Sequence, residues 1–356
     1  MTKKITVAIL FGGRSVEHEI SIRSAVNVNR YIDSAAYEVI LIGIDKSGKW
    51  HLMSEVNSDF DNGIALSISL DASNPAFVNQ ATQENVHVDV VFPVLHGTDG
   101  EDGSIQGLLK VVNIPFAGSG VLGSSVAMDK LISKQLLFQA GIPVNKFVSF
   151  QKSERAYIVF EDVKDKLGLP FMVKPVNLGS SVGITKVNNK KDFDQAVSTG
   201  FKFDHTLLIE EFISGRELEC AVLGNENAKA SLPGEIIISD QYEFYSYEAK
   251  YEDESAVKIQ IPAEIDTETA TKIKSLCVQS YQALQCDDFA RVDLFLTDNE
   301  EIYINEINTI PGFTDISMFP SLWAQHGISY PDLISQIIQL ALSRHQDTIS
   351  TERSFK

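Results

Sequence analysis

The sequence is short of several things, and each shortage excludes a class of protein. It holds three cysteines in 356 residues, Cys220, Cys277 and Cys286, with no CxxC spacing. An odd, unpaired set argues against a disulfide framework and for a cytoplasmic location, with all three thiols expected as small buried or half-buried apolar groups. No apolar run approaches the ~20 residues that a membrane span needs. Ile5–Phe11 imitates a signal peptide briefly, but Gly12-Gly13-Arg14 cuts the run and no A-x-A-like site follows. Basic residues are scarce. Thirty Lys and Arg face 48 Asp and Glu, a net charge of −18, the wrong sign for tracking a nucleic-acid backbone or an anionic membrane, although a local basic pocket stays open. No His/Cys cluster has metal spacing and no internal repeat is present. What remains, 44% apolar and 22% charged residues, is the balance of a soluble globular chain long enough for two or three domains.

The first third alternates strand and helix patterns. Ile5–Phe11, Val39–Ile44, Asp89–Leu95 and Asn113–Ala117 read as strands, and Ser21–Ile32 and Ser104–Val111 as helices, which predicts a parallel sheet covered on both faces. Lys46–Val86 fits poorly and is expected to be an insertion of irregular strands and loops. Beyond Gly123 the rhythm changes. One helix is expected over Met128–Ala140, then strands near 147–150, 171–174, 183–187, 207–211, 217–223, 235–238, 257–261, 289–296 and 301–307. Late helices are expected over Asp266–Leu284 and Pro331–Ser343, with a frayed tail from about His345. Strands joined by short turns predict mainly antiparallel sheets here, so the class moves from α/β to α+β.

Three motifs mislead. Gly43-Ile-Asp-Lys-Ser-Gly48-Lys49 nearly spells a P-loop, but Trp50 stands where Ser or Thr would hold Mg²⁺, so a hairpin turn is the better reading. Gly118-Ser-Gly120-Val-Leu-Gly123 matches GxGxxG, yet Pro143 lies where an acidic residue would bind a ribose, and a joint between domains fits better. His18-Glu19 starts an HExxH whose second ligand is missing, because position 22 is Ile22.

Four segments are hard to explain as packing. Lys174-Pro-Val-Asn-Leu-Gly-Ser-Ser-Val-Gly183 follows a strand with a lysine, glycines and two hydroxyls, the means by which a loop wraps phosphate oxygens. Arg291-Val-Asp293 and Asn305-Glu306-Ile-Asn308 lie on two neighbouring strands, where positions i and i+2 share a face. Their hard oxygens suit Mg²⁺, and an arginine beside the metal suits phosphoryl transfer; a solvated charged sheet face is the alternative. Glu17, just after the first strand, is placed either to hold a substrate ammonium or merely to start a helix. Tyr242–Tyr251 is an aromatic, charged run of lid composition.

Taken in order, these segments resemble the D-alanine–D-alanine ligase family of the ATP-grasp superfamily. The resemblance is carried by Phe11–Ser21, Leu95–Gly103, Met128-Asp-Lys130, Lys174–Gly183, Glu248-Ala-Lys-Tyr251, Arg291-Val-Asp293 and Asn305–Gly312, which span nearly the whole chain. It implies an ATP-grasp fold preceded by a Rossmann-like N-terminal domain: residues 1–122 for substrate, 123–214 as the small ATP-grasp domain and 215–356 as the C-terminal catalytic domain. It implies that ATP phosphorylates one D-alanine and that the amine of a second displaces phosphate, for peptidoglycan synthesis. By resemblance Lys130, Lys174, Ser180, Ser181, Glu210, Glu217 and Lys250 contact ATP, and Asp293, Glu306 and Asn308 hold two Mg²⁺ ions, with Mn²⁺ a possible substitute. Arg291 and the Gly312 amide stabilise the tetrahedral intermediate. Glu17 anchors the first amine, His96 lies near its carboxyl, and Ser317 and Met318 serve the second substrate. Ser180, Glu17 and Tyr251 form a clamp, and a homodimer is implied. In related D-alanine–D-lactate ligases the Tyr251 position is often Phe, which makes that activity the alternative. A nicotinamide-dependent oxidoreductase and a non-catalytic nucleotide sensor are the rivals from other classes. Ile307, Ile310 and Met318 depart from the commoner pattern only in apolar detail, whereas Asp315 has no physical account.

Overall fold

The computed structural model describes residues 3–239 and 257–352. Its organising strand is β1 (Ile5–Gly12), where Val7 to Phe11 are wholly buried, a continuous apolar run that must be covered on both faces. It pairs in parallel with β2 (Tyr37–Ile44) on one side and β7 (Val90–Pro93) on the other. Between them in sequence, β3 (Trp50–Met53), β4 (Ile64–Ile68), β5 (Phe77–Asn79) and β6 (Asn85–Val86) extend the sheet antiparallel, giving the order β6-β5-β4-β3-β2-β1-β7. The stretch expected to be irregular is therefore half of a mixed sheet, and the all-parallel expectation holds only for β2, β1 and β7. Asn113–Ala117 is not a strand. It makes a single bridge, Val91 with Phe116, because it turns away after one pair.

Helix α1 (His18–Tyr31) buries His18, Ser21, Ile22, Ser24, Ala25, Asn27 and Val28, a stripe with four polar members. Helix α2 (Ser104–Val111) follows the β7 loop. The helix expected over Met128–Ala140 is two: α3 (Val121–Met128) and α4 (Lys130–Gln139), parted at Asp129, whose carboxylate accepts from Ile132 N and caps the second.

The four-stranded sheet runs β10-β9-β11-β8, built from β8 (Phe147–Gln151), β9 (Phe171–Pro175), β10 (Thr185–Val187) and β11 (Thr206–Glu211), all antiparallel. Two helices that the sequence reading passed over cover it. In α5 (Phe160–Leu167), Phe160, Val163 and Leu167 are buried at helical spacing, and in α6 (Lys190–Phe203), capped by Asn189, Phe193, Ala196, Val197 and Phe201 are.

The third sheet holds β12 (Arg216–Leu223), β13 (Lys229–Ala230), β14 (Gly234–Ile238), β15 (Val257–Gln260), β16 (Phe289–Leu296) and β17 (Ile302–Asn308). Strand β16, between β12 and β17, alternates buried and half-buried residues, so Val292 faces the core while Arg291 and Asp293 face the cleft. Helix α7 (Thr267–Ala283) packs on the core side. The last helices are α8 (Met318–Ala324) and α9 (Tyr330–Ser350). The tail expected to fray at His345 continues α9 to Ser350. Among the described residues no helix is long and apolar enough to cross a membrane. All three cysteines are buried free thiols.

Candidate functional site

A cavity of about 440 Å³ is lined from both antiparallel sheets. On β9 and β11 Lys174 pairs with Leu208, so Glu210, two residues on, shares its face and its carboxylate meets the Lys174 ammonium. From behind, Lys134 on α4 reaches Glu210 Oε2 at 3.1 Å and donates to Asn145 Oδ1 at 2.6 Å. Burial works against the Glu210 charge, but the two lysines hold its carboxyl down to about 2. Burial also works against the charge of both ammonium groups. It prevails at Lys134, which is lowered, and loses at Lys174, where Glu210 and then Glu306 raise it. Lys174 also donates to Asn305 Oδ1 at 3.4 Å. Lys130 donates to Leu178 O at 2.8 Å and pairs with Glu306 Oε2 at 3.2 Å. Ser181 and Glu217 line the same cavity, and Ser180 and Ser181 both take left-handed φ, +52° and +59°.

The β16–β17 register sets Arg291 against Asn308 and Asp293 against Glu306. Arg291 Nε and Nη2 donate to the two Asp293 oxygens at 2.7 Å each, Asn308 Nδ2 donates to Asp293 Oδ2 at 3.0 Å, and Glu219 on β12 lies 3.1 Å from Arg291 Nε. Val292 and Ile307, on the other face, are in the core. Among the described residues no three His, Cys, Asp or Glu side chains gather as a metal cluster. The set here is two carboxylates and an amide on one face, hard oxygens whose chemistry fits Mg²⁺.

A second cavity, about 870 Å³, adjoins the first and shares Lys130, Gly179, Ser180, Glu219 and Glu306 with it. Glu17, at the start of α1, accepts from Ser180 Oγ. Its carboxylate is pressed by glycine backbone: a Cβ on Gly97 (φ +73°) would come within 2.5 Å of Glu17 Oε2, and one on Gly179 within 3.1 Å. Buried His96 sits between Ser24 Oγ (3.2 Å from Nε2) and the Ile310 carbonyl (2.9 Å from Nδ1). Burial is the main cause lowering its pKa, against the pull of Glu17, so the imidazole is neutral. Gly312 approaches Ser317 so closely that a Cβ would lie 2.7 Å from Ser317 Oγ. Arg291, Asn308, Ser317 and Met318 complete the wall, with Met318 itself buried.

The two cavities thus gather every candidate that the described residues include: Glu17, His96, Lys130, Lys174, Ser180, Ser181, Glu210, Glu217, Arg291, Asp293, Glu306, Asn308, Gly312, Ser317 and Met318. Lys250, Tyr251 and the rest of Tyr242–Tyr251 lie outside the described residues. Asp315 lines the second cavity. The misleading motifs have other occupations. Gly43–Lys49 joins antiparallel β2 and β3, and the loop at Gly118–Gly120 spends its amides on Asp288 (2.9 Å) and Asp287 (3.2 Å).

Sequence reading missed Glu101, Lys134, Glu219 and Ser24. Glu101 accepts from Gly97 N at 2.8 Å and Ile310 N at 2.9 Å, and burial, then the nearby Glu17 charge, push its carboxyl up to about 8. It stands inside Leu95–Gly103 and could have been singled out there. Lys134 lies four residues after Lys130 on one helix face, a legible signal. Ser24 and Glu219 carried none, since only the packing of separate elements gives them partners.

Comparison with known proteins covers the chain almost end to end. Residues 6–119 match the family model described as D-ala D-ala ligase N-terminus and 136–339 the one described as D-ala D-ala ligase C-terminus. A D-alanine–D-alanine ligase of Oceanobacillus iheyensis is 48% identical over 97% of this chain and 97% of its own. D-alanine–D-alanine ligase A of Salmonella typhimurium is 48% identical over 96% of this chain and 97% of its own. The solved D-alanine–D-alanine ligase from Coxiella burnetii superposes with a TM-score of 0.86 at 35% identity, over 98% of each chain. The VanG D-Ala:D-Ser ligase from Enterococcus faecalis also superposes at 0.86, with 36% identity, over 95% of this chain and 100% of its own.

Proposed function

As a member of the D-alanine–D-alanine ligase family the chain is an ATP-dependent ligase that joins two D-alanines, and we propose that it does so in the paired cavities, for peptidoglycan precursor synthesis. The nucleotide occupies the smaller cavity, with Lys130, Lys174, Ser180, Ser181 and the lid residue Lys250 on its phosphates and Glu210 and Glu217 towards adenine and ribose. Asp293, Glu306 and Asn308 would hold two Mg²⁺ ions, or Mn²⁺, which supply positive charge to the transferring phosphoryl group.

The first D-alanine sets its ammonium against Glu17 and its carboxyl near His96. A carboxylate oxygen attacks the γ-phosphorus, the bond to ADP breaks, and an acyl phosphate forms. The amine of the second D-alanine, its carboxylate near Ser317 and its methyl towards Met318, then attacks the carbonyl carbon. Arg291 and the Gly312 amide face the developing oxyanion; as the peptide bond closes the C–O bond breaks and phosphate leaves with the proton lost by the amine. Holding both small substrates in line can supply about 7–11 kcal/mol of the barrier. Ser180, Glu17 and Tyr251 clamp three segments together and exclude water from the acyl phosphate. We further propose the division at 1–122, 123–214 and 215–356, a cytoplasmic location and a homodimer.

One observation carries the reading. Lys130, Ser180 and Glu306 line both cavities, so a phosphate held by the first and an amino-acid carboxylate held by the second meet at a common wall. Phosphate release from MgATP against a panel of D- and L-amino acids, D-serine and D-lactate tests it. D-Alanine is expected to give the fastest release and D-alanyl-D-alanine as product. Depsipeptide as the main product would favour the D-lactate alternative, and no stimulation by any acceptor would defeat the reading.

A further inference from the structure

Backbone groups on either side of Gly312 are held by side chains from the N-terminal part of the chain. The Ile310 carbonyl faces His96 Nδ1 at 2.9 Å, and the Phe313 N–H faces Ser24 Oγ at 3.3 Å. Ser24 Oγ in turn lies 3.2 Å from His96 Nε2. A carbonyl oxygen only accepts, so Nδ1 carries the proton of the neutral ring and Nε2 accepts a hydrogen bond from the Ser24 hydroxyl. The bonds therefore run one way: Phe313 N–H to Ser24 Oγ, Ser24 O–H to His96 Nε2, His96 Nδ1–H to Ile310 O. Together with the chain from 310 to 313 they close a ring, and Pro311 and Gly312 lie inside it. Asn27 Nδ2 adds a bond to Phe313 O at 3.2 Å. Ser24 is fully buried on α1 and lines neither cavity.

We propose that Ser24 is a positioning residue for the ligase: through one hydroxyl it fixes the proton-bearing nitrogen of His96 and the place of the Gly312 amide. This rests on the reading of His96 and Gly312 as substrate-facing groups. Ser24 bonds one end of the loop directly and reaches the other through His96, so its loss breaks the link between the Phe313 N–H and the imidazole while Phe313 O keeps Asn27 and Tyr330, and the ATP cavity keeps all its residues.

The test is Ser24→Ala in the full chain, with D-alanine and MgATP. The kcat for D-alanyl-D-alanine is expected to fall at least about tenfold, the cost of a small misplacement of a donor. The KM for ATP should stay within about twofold, because that cavity is untouched. Nitrogen-15 spectra of the imidazoles should show one His96 signal pair with Nδ1 protonated in the wild type and a tautomer mixture in the variant. A merely structural serine would lower the melting temperature and move neither kcat nor the tautomer, and that result overturns the proposal. If the alanine variant does not fold, Ser24→Cys keeps nearly the same volume with a weaker donor. It should be slowed with ATP binding intact, and wild-type kcat in it would equally overturn the proposal. The two readings fail separately: a wild type that turns over D-alanine beside an unimpaired Ser24→Ala defeats the role of Ser24 alone, whereas a wild type inert towards D-alanine defeats the ligase reading and this proposal with it.

Discussion

Glu210 and Glu101 are both enclosed glutamates at the site, and they are displaced in opposite directions. Glu210 lies between Lys134 and Lys174, and its carboxyl is held down to about 2. Glu101 accepts two backbone N–H bonds but has the Glu17 charge for a neighbour, and it is pushed up to about 8. Burial raises both. The difference lies in the partner: an ammonium group at contact distance outweighs desolvation, whereas two amide dipoles opposed by a second carboxylate do not. The cavity around Lys174 and Glu210 is thus built on compensated full charges, whereas the one around His96 and Glu101 sets directional hydrogen bonds beside the charges of Glu17 and Arg291, a difference that suits the nucleotide and amino-acid assignments proposed above. A polyphosphate needs fixed positive charge. A small zwitterion needs its donors and acceptors placed to a fraction of an ångström.

The largest effect should come from breaking the compensated side. Glu210→Gln leaves Lys134 and Lys174 buried without their shared counter-charge, and removing one partner of such a set costs about 3–5 kcal/mol. Urea unfolding reads this directly, and a loss below about 1 kcal/mol would mean the lysines do not depend on Glu210. On the other side, Arg291→Ala removes an oxyanion partner and should lower kcat by about 10²–10³ with the far-ultraviolet dichroism unchanged. A near-normal rate would take Arg291 out of the site. Glu101→Gln sharpens the comparison through pH. The native carboxyl titrates near 8 and the unfolded one in the ordinary carboxylate range, so between about pH 5 and 8 the native state binds the extra proton and loses stability as pH rises. The variant lacks this loss, so wild-type stability relative to it should decline from pH 5.5 to 8, and a constant gap between the two unfolding midpoints would contradict the account. Glu210 works with the opposite sign: the stability it confers is complete above the ordinary carboxylate range and drains away as pH falls towards about 2. The smallest effect is expected from Tyr251→Phe, which should lower the preference for D-alanine over D-lactate as acceptor by less than about tenfold. Competition assays measure it, and an unchanged ratio would remove Tyr251 from the clamp.

What could be read in advance follows the range of the forces involved. Alternation in β16 and β17 set Arg291, Asp293, Glu306 and Asn308 on one face without reference to anything distant. The run around Lys174 carried its chemistry in residue types at fixed spacing, Glu17 in its place after the first strand, and His96 only through the family resemblance. The antiparallel half of the first sheet was not legible, because short strands such as Phe77–Asn79 have too few residues to show a period. The periods of α5 and α6 were present and went unread. The break at Asp129 was a capping signal within a helical pattern.

Residue order alone determined the longer strands, the caps and the family motifs, since each depends on neighbours a few positions apart. Only the folded arrangement decided that Glu210 would ionise more readily than a free glutamate and Glu101 less, that the Gly118–Gly120 amides would be taken by Asp287 and Asp288, and that a serine on α1 would speak to Phe313. Those outcomes depend on desolvation and on contacts between groups as far as 289 positions apart, which close approach in three dimensions creates and linear spacing does not encode.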